Sequence, residues 1–285
     1  MTSAADSRLV LITGASSGIG LALACVLASR RVPLLLTARR RELLERVAGR
    51  LRHLGGAVEA HAVDVADLRS MRDALSAARD LGGLSAVVNN AGVLQPIGPV
   101  ADTDPQAFEQ HLRTNVVGVL NGMRLALQFR GAGQPLRVVN ISSGAATRAI
   151  RGWGAYCASK AAVNQLTQVA ALENADGLTS IVSVAPGIIE TAMQRAIRKE
   201  DETRFPDVGQ FVTLKDKGLL LAPVEAAAAL AWLVLDATLS LSGSFVDARS
   251  AEVQEQVRAW QASREDGTAE MARAQSCFDE LEAVA

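Results

Sequence analysis

The amino-acid sequence predicts an α/β fold, a single doubly wound parallel sheet of about seven strands with helices on both faces. Two observations support this prediction. Short aliphatic runs alternate along the chain with longer segments whose apolar residues recur at helical spacing, which is typical of strands joined by crossover helices. Most of the short runs are apolar throughout, as expected for strands that helices cover on both faces.

The same patterns place the individual elements. Strands are predicted at residues 8–13, 33–37, 57–63, 84–89, 136–142, 178–184 and 243–247. Helices are predicted at about residues 18–30, 41–54, 67–80, 104–130, 154–175 and 223–236. Asp104 and Pro105 mark the start of the fourth helix, because an acidic N-cap residue followed by proline favours the first helical turn.

Two segments interrupt the alternation of strand and helix. Residues 188–222 contain no predicted strand, and a connection of that length is usually functional. Residues 250–285 form a polar tail, rich in alanine and glutamate, that is predicted to be either helical or disordered. We therefore expect one domain over residues 1–249, with the insertion at about 188–222, followed by this tail.

Composition and charge exclude several classes of protein. The 285 residues are 49% hydrophobic and 21% charged, as in an ordinary globular protein. A formal net charge of -1 leaves no basic excess for nucleic acid. No apolar run is long enough to span a membrane, and no apolar leader precedes the first predicted strand. We therefore expect a cytoplasmic protein that binds neither nucleic acid nor membrane.

The cysteines give no sign of a metal centre. Cys25, Cys157 and Cys277 are widely separated in the sequence and form no Cys/His cluster. This pattern favours reduced thiols and no metal site.

A glycine-rich turn, TGASSGIG at residues 13–20, joins the first predicted strand to the first predicted helix. Glycine permits a tight turn and a close approach of the backbone to a ligand. The N-terminus of the following helix presents free N–H groups and a partial positive charge, which favour a pyrophosphate. The turn therefore predicts a dinucleotide site formed by Gly14, Ser16, Ser17, Gly18, Ile19 and Gly20.

The end of the second predicted strand indicates which dinucleotide binds. In NAD-binding sheets an acidic residue at this point holds the ribose 2′-hydroxyl group. Here the chain has Ala38 followed by Arg39. Since arginine pairs with a phosphate and a carboxylate would repel it, we expect NADPH to be preferred over NADH.

These motifs, together with five others, resemble the short-chain dehydrogenase/reductase family over about residues 8–248. The others are VDV at 63–65, NNAG at 89–92, LRTNVVG at 112–118, PGIIET at 186–191, and Tyr156-x-x-x-Lys160 with a serine thirteen residues before it. The resemblance implies a catalytic set of Asn115, Ser143, Tyr156 and Lys160. It implies further cofactor contacts from Asp64, Val65, Asn90, Ala91, Gly92, Tyr156, Lys160, Pro186, Gly187, Ile189 and Thr191. Residues 1–249 would thus form the dinucleotide-binding and catalytic domain.

The resemblance has two further implications. The family usually pairs through the helices that carry Asn115 and Tyr156, so we expect a homodimer or homotetramer. The segments PGIIETAMQRAIR, FPDVGQF and SGSFVDAR resemble a narrower branch, that of sepiapterin-reductase-like enzymes and bacterial reductases of benzil and related 1,2-diketones.

The only tyrosine of the chain has a chemical reason to stand four residues before a lysine. Residues i and i+4 share one face of a helix, so Lys160 points the same way as Tyr156. A nearby cation lowers the pKa of a phenol, which favours Tyr156 as general acid in reduction and general base in oxidation. Ser143 would bind the substrate oxygen. The neighbouring Ser142 is the competing candidate, but it alternates to the other side of the strand.

Apolar residues in the segments that border this site predict an apolar carbonyl substrate. They are Leu94, Ile150, Trp153, Met193, Phe205 and Phe211. The alternative is that these side chains pack on one another as a cover.

We therefore expect an NADPH-dependent oxidoreductase that reduces the carbonyl group of an apolar ketone or 1,2-diketone. Two alternatives stay open. One is an NAD(P)+-dependent alcohol or steroid dehydrogenase that works in the oxidative direction, and the other is a nicotinamide-nucleotide sensor without catalytic activity.

Overall fold

The computed structural model describes residues 8–263 and 266–283, and it confirms the predicted fold. Within these residues, seven parallel strands form one sheet in the order β3-β2-β1-β4-β5-β6-β7. The strands are β1 Arg8–Thr13, β2 Leu34–Ala38, β3 Val58–Ala62, β4 Gly83–Asn89, β5 Leu136–Ile141, β6 Thr179–Ala185 and β7 Phe245–Asp247. Strand order reverses between β1 and β4, and in such sheets the crevice at this point is where ligands bind.

Eleven α-helices occur in the described part of the chain. They are α1 Gly18–Ser29, α2 Arg41–His53, α3 Leu68–Ala77, α4 Pro105–Leu112, α5 Gly118–Phe129, α6 Gly154–Glu173, α7 Ala192–Ile197, α8 Val208–Asp216, α9 Pro223–Leu235, α10 Ala251–Ala262 and α11 Gly267–Glu282. The single helix expected at 104–130 is divided into α4 and α5 by a π-helical turn, Arg113–Val117. Its start is as predicted, because the Asp104 carboxylate accepts hydrogen bonds from two backbone N–H groups of the first turn.

Each strand of the sheet centre is buried on both sides, as its continuous apolar sequence requires. Along β1, Val10 and Ile12 face one helical layer, which includes α1 and α9. Leu9 and Leu11 face the opposite layer, which includes α3, α5 and α6. The alternation of side chains along the strand therefore divides the core into two halves.

The 188–222 insertion has helices that the sequence analysis did not predict. It contains α7 and α8 and is closed at its base by an isolated parallel bridge between Ile189 and Leu221. As expected, it contains no strand of the sheet. Its apolar side chains join those of neighbouring loops in a third, smaller core.

The C-terminal tail is helical over α10 and α11; α11 packs on the chain's own α1 and α9, and α10 packs on α9 and α11. Val257, Trp260, Cys277 and Phe278 are buried in the same core as α1. Of the two alternatives for the tail, the helical one therefore applies to its described residues. It extends one face of the sheet's helical layer.

Apolar side chains are exposed near the helices that the resemblance assigns to subunit pairing. Val117 and Leu120 lie in the π-helical turn and in α5, and Val169 and Leu172 lie on α6. Leu172 is 80% exposed. Pairing through this face stays a prediction.

Among the helices of the described residues, none has both the length and the apolarity that crossing a membrane requires.

Candidate active site

A cavity of about 710 Å³ lies at the carboxyl ends of the parallel strands, beneath the insertion. Residues that follow β1, β2, β4, β5 and β6 meet there, because the carboxyl ends of parallel strands lie at one edge of a sheet. Most of the predicted cofactor residues line this cavity. They are Gly14, Ser16, Ser17, Gly18, Ile19, Arg39, Asp64, Val65, Asn90, Ala91, Gly92, Tyr156, Lys160, Pro186, Gly187, Ile189 and Thr191.

The glycine turn after β1 leaves no room for larger residues. Gly14 has a positive φ of 66°, and a Cβ atom on it would lie 2.8 Å from Ala91 Cα. Gly20 does not line the cavity; a Cβ atom there would lie 2.5 Å from Asn90 Nδ2. The side-chain amide of Asn90 donates a hydrogen bond of 2.9 Å to the carbonyl oxygen of Thr13. The turn after β4 is thereby fixed against the turn after β1.

Helix α1 begins at this turn with its N-terminus open to the cavity. Ser17 is the N-cap residue, and its side chain makes no capping hydrogen bond within the described chain. The N–H groups of the first turn and the positive end of the helix dipole are therefore available to an anion. This arrangement fits the pyrophosphate of a dinucleotide.

The end of β2 is basic. Ala38 is the last strand residue, and Arg39 and Arg40 follow it, exposed to solvent and lining the cavity. The acidic residues among the described lining residues are Asp64, after β3, and Asp247, in β7. The end of β2 therefore has the charge that suits a ribose 2′-phosphate and lacks the acid that binds a free 2′-hydroxyl group.

Tyr156 and Lys160 lie in the first two turns of α6, next to the end of β5. Lys160 is 4% exposed, and its ammonium group donates a hydrogen bond of 2.8 Å to the Ile141 carbonyl oxygen. The Lys160 nitrogen lies 5.6 Å from the centre of the Tyr156 ring. Ser143 lines the same part of the cavity and lowers the pKa of the Tyr156 phenol. The structure thus brings three of the four predicted catalytic side chains together in the cavity wall.

Burial controls the protonation of this pair. It raises the pKa of the Tyr156 phenol to about 12, although the hydrogen bond with Ser143 lowers that pKa. Burial also lowers the pKa of Lys160 to about 8. The expected lowering of the phenol pKa by Lys160 is therefore wrong for this structure, because burial raises that pKa and keeps Tyr156 protonated at neutral pH.

The two adjacent serines have different partners. The Ser142 hydroxyl group is 2.6 Å from Asn164 Oδ1 and donates to it, and Ser142 is buried. Ser143 is only half-buried and is the serine that contacts Tyr156. This difference follows from the alternation of side chains at the end of β5.

Asn115 lies behind the cavity wall, fully buried in the π-helical turn. Its side chain binds the backbone of Val93, accepting from the N–H at 2.8 Å and donating to the carbonyl oxygen at 2.9 Å. Its amide nitrogen also lies 2.9 Å from Nε2 of His111, to which it donates. Asn115 therefore fixes the loop after the NNAG motif to α4 and α5.

His111 is a site residue that the sequence analysis missed. Its Nδ1 lies 2.8 Å from the carbonyl oxygen of Gln95, which can only accept, so Nδ1 carries the proton and Nε2 is an acceptor. Nε2 is also 2.9 Å from the hydroxyl oxygen of Ser159, whose single proton is shared between Nε2 and the Tyr156 carbonyl oxygen. Burial lowers the pKa of His111, which keeps the imidazole neutral. The spacing of His111 and Asn115, four residues apart in a predicted helix, was the available signal.

Apolar side chains line the part of the cavity near Tyr156. Of the predicted residues, Leu94, Ile150, Trp153, Met193 and Phe211 line it. Phe205 does not, because it is fully buried behind Trp153 with the two rings stacked at a centroid distance of 5.2 Å. The contact predicted for Phe205 is therefore indirect. Both expectations therefore hold in part: five of these side chains line the cavity, and Phe205 packs behind Trp153.

Comparisons with known proteins agree with this geometry. The family model for short chain dehydrogenases matches residues 8–202. An uncharacterised oxidoreductase of Schizosaccharomyces pombe is 34% identical over 250 residues, which cover 85% of this chain and 97% of that protein. A benzil reductase ((S)-benzoin forming) of Bacillus cereus is 31% identical, covering 78% of this chain and 92% of that protein.

A solved structure of actinorhodin polyketide ketoreductase with NADPH is also similar. It has a TM-score of 0.76 and 26% identity, and the match covers 87% of this chain and 97% of that one. The family model alone covers more than half of the chain. The chain therefore belongs to the short-chain dehydrogenase/reductase family of oxidoreductases.

Proposed function

We propose that this chain is an NADPH-dependent reductase that converts the carbonyl group of an apolar ketone or 1,2-diketone to an alcohol. The observation that carries the proposal is the placement of Tyr156, Lys160 and Ser143 together in the wall of one cavity. That cavity has an open helix N-terminus on one side and apolar side chains on the other. A donor, an anion-binding end and an apolar end are what carbonyl reduction by a dinucleotide requires.

Three side chains would divide the work on the substrate. The bound cofactor would supply a hydride to the carbonyl carbon. Tyr156 donates its proton to the carbonyl oxygen, and Ser143 hydrogen-bonds the same oxygen and orients it towards the phenol. Lys160, held by the Ile141 carbonyl oxygen, stabilises the negative charge that develops on the phenol oxygen.

The choice of NADPH is supported by charge at the end of β2. Arg39 and Arg40 line the cavity there, and the acidic residues among the described lining residues, Asp64 and Asp247, belong to other strands or their ends. A phosphate beside two guanidinium groups gains charge-assisted hydrogen bonds that a 2′-hydroxyl group does not.

The choice of substrate is supported by the apolar end of the cavity. Trp153 is stacked on Phe205 and lies 5.1 Å from the centre of Phe211, so the indole is held rigidly three residues before Tyr156. A rigid aromatic wall suits an aryl or alkyl group next to the carbonyl. The name of the benzil reductase relative points to the same substrate class.

His111 is proposed as a positioning residue in this reaction. It does not line the cavity, but it contacts both Asn115 and Ser159, and Ser159 bonds the backbone of Tyr156. The imidazole thus joins α4 to the first turns of α6. Loss of this contact would let the phenol shift relative to Ser143.

Replacement of the phenol tests the proposed reaction most simply. We expect Tyr156→Phe to lower kcat for aryl diketone reduction by about 100-fold to 10,000-fold, the usual contribution of a general acid, with little change in the Kd for NADPH.

Ser143→Ala should lose far more activity than the control Ser142→Ala, because Ser142 donates to Asn164. The assay is the loss of NADPH absorbance with diketones, pterins, ketones and steroids. Tight NADPH binding without turnover of any of them would favour the sensor alternative, and turnover only of alcohols with NAD(P)+ would favour the dehydrogenase.

The cofactor proposal is tested at Arg39. We expect Arg39→Asp to lower the ratio of kcat/KM with NADPH to kcat/KM with NADH by about tenfold or more, since a charge-assisted hydrogen bond contributes about 1.5–3 kcal/mol. Arg41→Asp is the matched control, because Arg41 is exposed nearby and does not line the cavity. If the ratio is unchanged in Arg39→Asp, or changes equally in both variants, Arg39 does not select NADPH and the cofactor proposal loses its support at the end of β2.

The positioning role predicts a selective loss of turnover. We expect His111→Leu to lower kcat by about tenfold or more, because a shift of about 1 Å at the reacting centre is costly, while the KM for NADPH changes little. His111→Gln, which keeps a side-chain acceptor for Asn115, should recover part of kcat. His53→Leu on the exposed side of α2 is the control. Equal activity of the Leu and Gln variants at matched thermal stability would contradict the role.

A further inference from the structure

The sulfur atoms of Cys25 and Cys277 are in contact, although 252 residues separate them in the sequence. They lie 3.3 Å apart, with Cys25 in the middle of α1 and Cys277 in α11. Both side chains are buried, at 0% and 1% exposure. The sequence alone indicates separate thiols, because nothing in it shows that the tail packs on α1.

Contacts on both sides of the cysteines fix α11 along α1. Glu270 forms a buried ion pair of 3.2 Å with Arg30, at the C-terminal end of α1. Towards the other end of α11, Glu280 pairs with Arg50 at 2.8 Å, and Glu282 pairs with Arg195 of α7 at 2.9 Å. A helix held at both ends keeps the two sulfur atoms opposite each other.

We propose that Cys25 and Cys277 form a modification site, at which a low-molecular-weight disulfide such as glutathione disulfide oxidises the two thiols to a disulfide that joins α1 to α11. A Sγ–Sγ separation of 3.3 Å leaves little movement to reach a covalent bond. The proposal does not depend on the proposed enzymatic activity.

The reaction balances as thiol–disulfide exchange. The thiolate of Cys277 attacks one sulfur of the small disulfide, whose S–S bond breaks and releases one small thiol. Cys25 then loses its proton and attacks the sulfur of Cys277, which releases the second small thiol. The cysteines together lose two electrons and two protons, and the small disulfide is reduced to two thiols.

The environment favours Cys277 as the attacking residue. The hydrogen bond from Cys25 lowers the pKa of Cys277, and the Arg50 guanidinium group lowers it further. The pKa of Cys25 is raised by the same hydrogen bond and by burial. Helix α11 packs on the outside of the fold with one face exposed. Local opening of this helix gives the oxidant access to the two thiols.

The disulfide would connect α11 of the tail to two elements beside the cavity, α1 and the insertion helix α7. Helix α1 presents its N-terminus to the cavity, and α11 reaches α7 in the insertion through Glu282 and Arg195. Oxidation would therefore restrain the elements on either side of the cavity and restrict the unfolded chain.

The test treats the folded, full-length protein with glutathione disulfide and measures intact mass, free thiols after denaturation, and peptides from a digest. We expect the mass to fall by two hydrogens, the alkylated thiols to fall from three to one, a peptide pair joined through Cys25 and Cys277, and a thermal midpoint higher by roughly 5–10 °C. Reduction should restore the starting values.

Single variants supply the controls. Cys157→Ser should still form the disulfide, whereas Cys25→Ala and Cys277→Ser should not and should show no rise in thermal midpoint. Three free thiols after treatment, glutathione adducts alone, or a cross-link that involves Cys157 would each overturn the proposal. The peptide map of the unsubstituted protein decides the matter even if a variant fails to fold.

Discussion

The hydrogen bond from the Lys160 ammonium group to the Ile141 carbonyl oxygen is the constraint on which the candidate site depends. A buried ammonium group without a partner is costly, so this bond fixes the start of α6 against the end of β5. Tyr156, one helical turn earlier, is thereby held beside Ser143, which follows β5. The same burial keeps the phenol protonated, and proton donation is the property that carbonyl reduction uses.

Around this bond, the parallel sheet brings distant segments to one edge. Glycine and asparagine at the ends of β1 and β4 pack so closely that the two turns form one surface beside the α1 N-terminus. The insertion contributes the apolar side of the cavity, where Trp153 is held between Tyr156 and two phenylalanines. The tail, which has no counterpart in the motifs that define the family, packs behind α1 and reaches the insertion at Arg195.

The sheet and the cavity lining could be predicted because apolar periodicity and glycine spacing are local signals. Four features could not be predicted from local signals. The π-helical turn at Asn115 resembles ordinary helix in sequence. Phe205 was expected to line the pocket, because a sequence does not show how far a side chain lies from the cavity. In the structure Trp153 lies between Phe205 and the cavity. The roles of His111 and of the Cys25–Cys277 contact depend on pairings between separate elements that only the folded chain defines.

The protonation of Tyr156 tests the account most directly, and the chain allows it to be read alone because it has a single tyrosine. Ultraviolet absorbance of the phenolate would be followed as pH is raised, with circular dichroism to confirm that the protein stays folded and with Tyr156→Phe as the blank. Since burial raises the pKa of the phenol to about 12, the folded protein should show almost no phenolate up to about pH 10.5. Ionisation of the phenol between about pH 7 and 9 would contradict the account, because Lys160 would then outweigh desolvation at the reacting group.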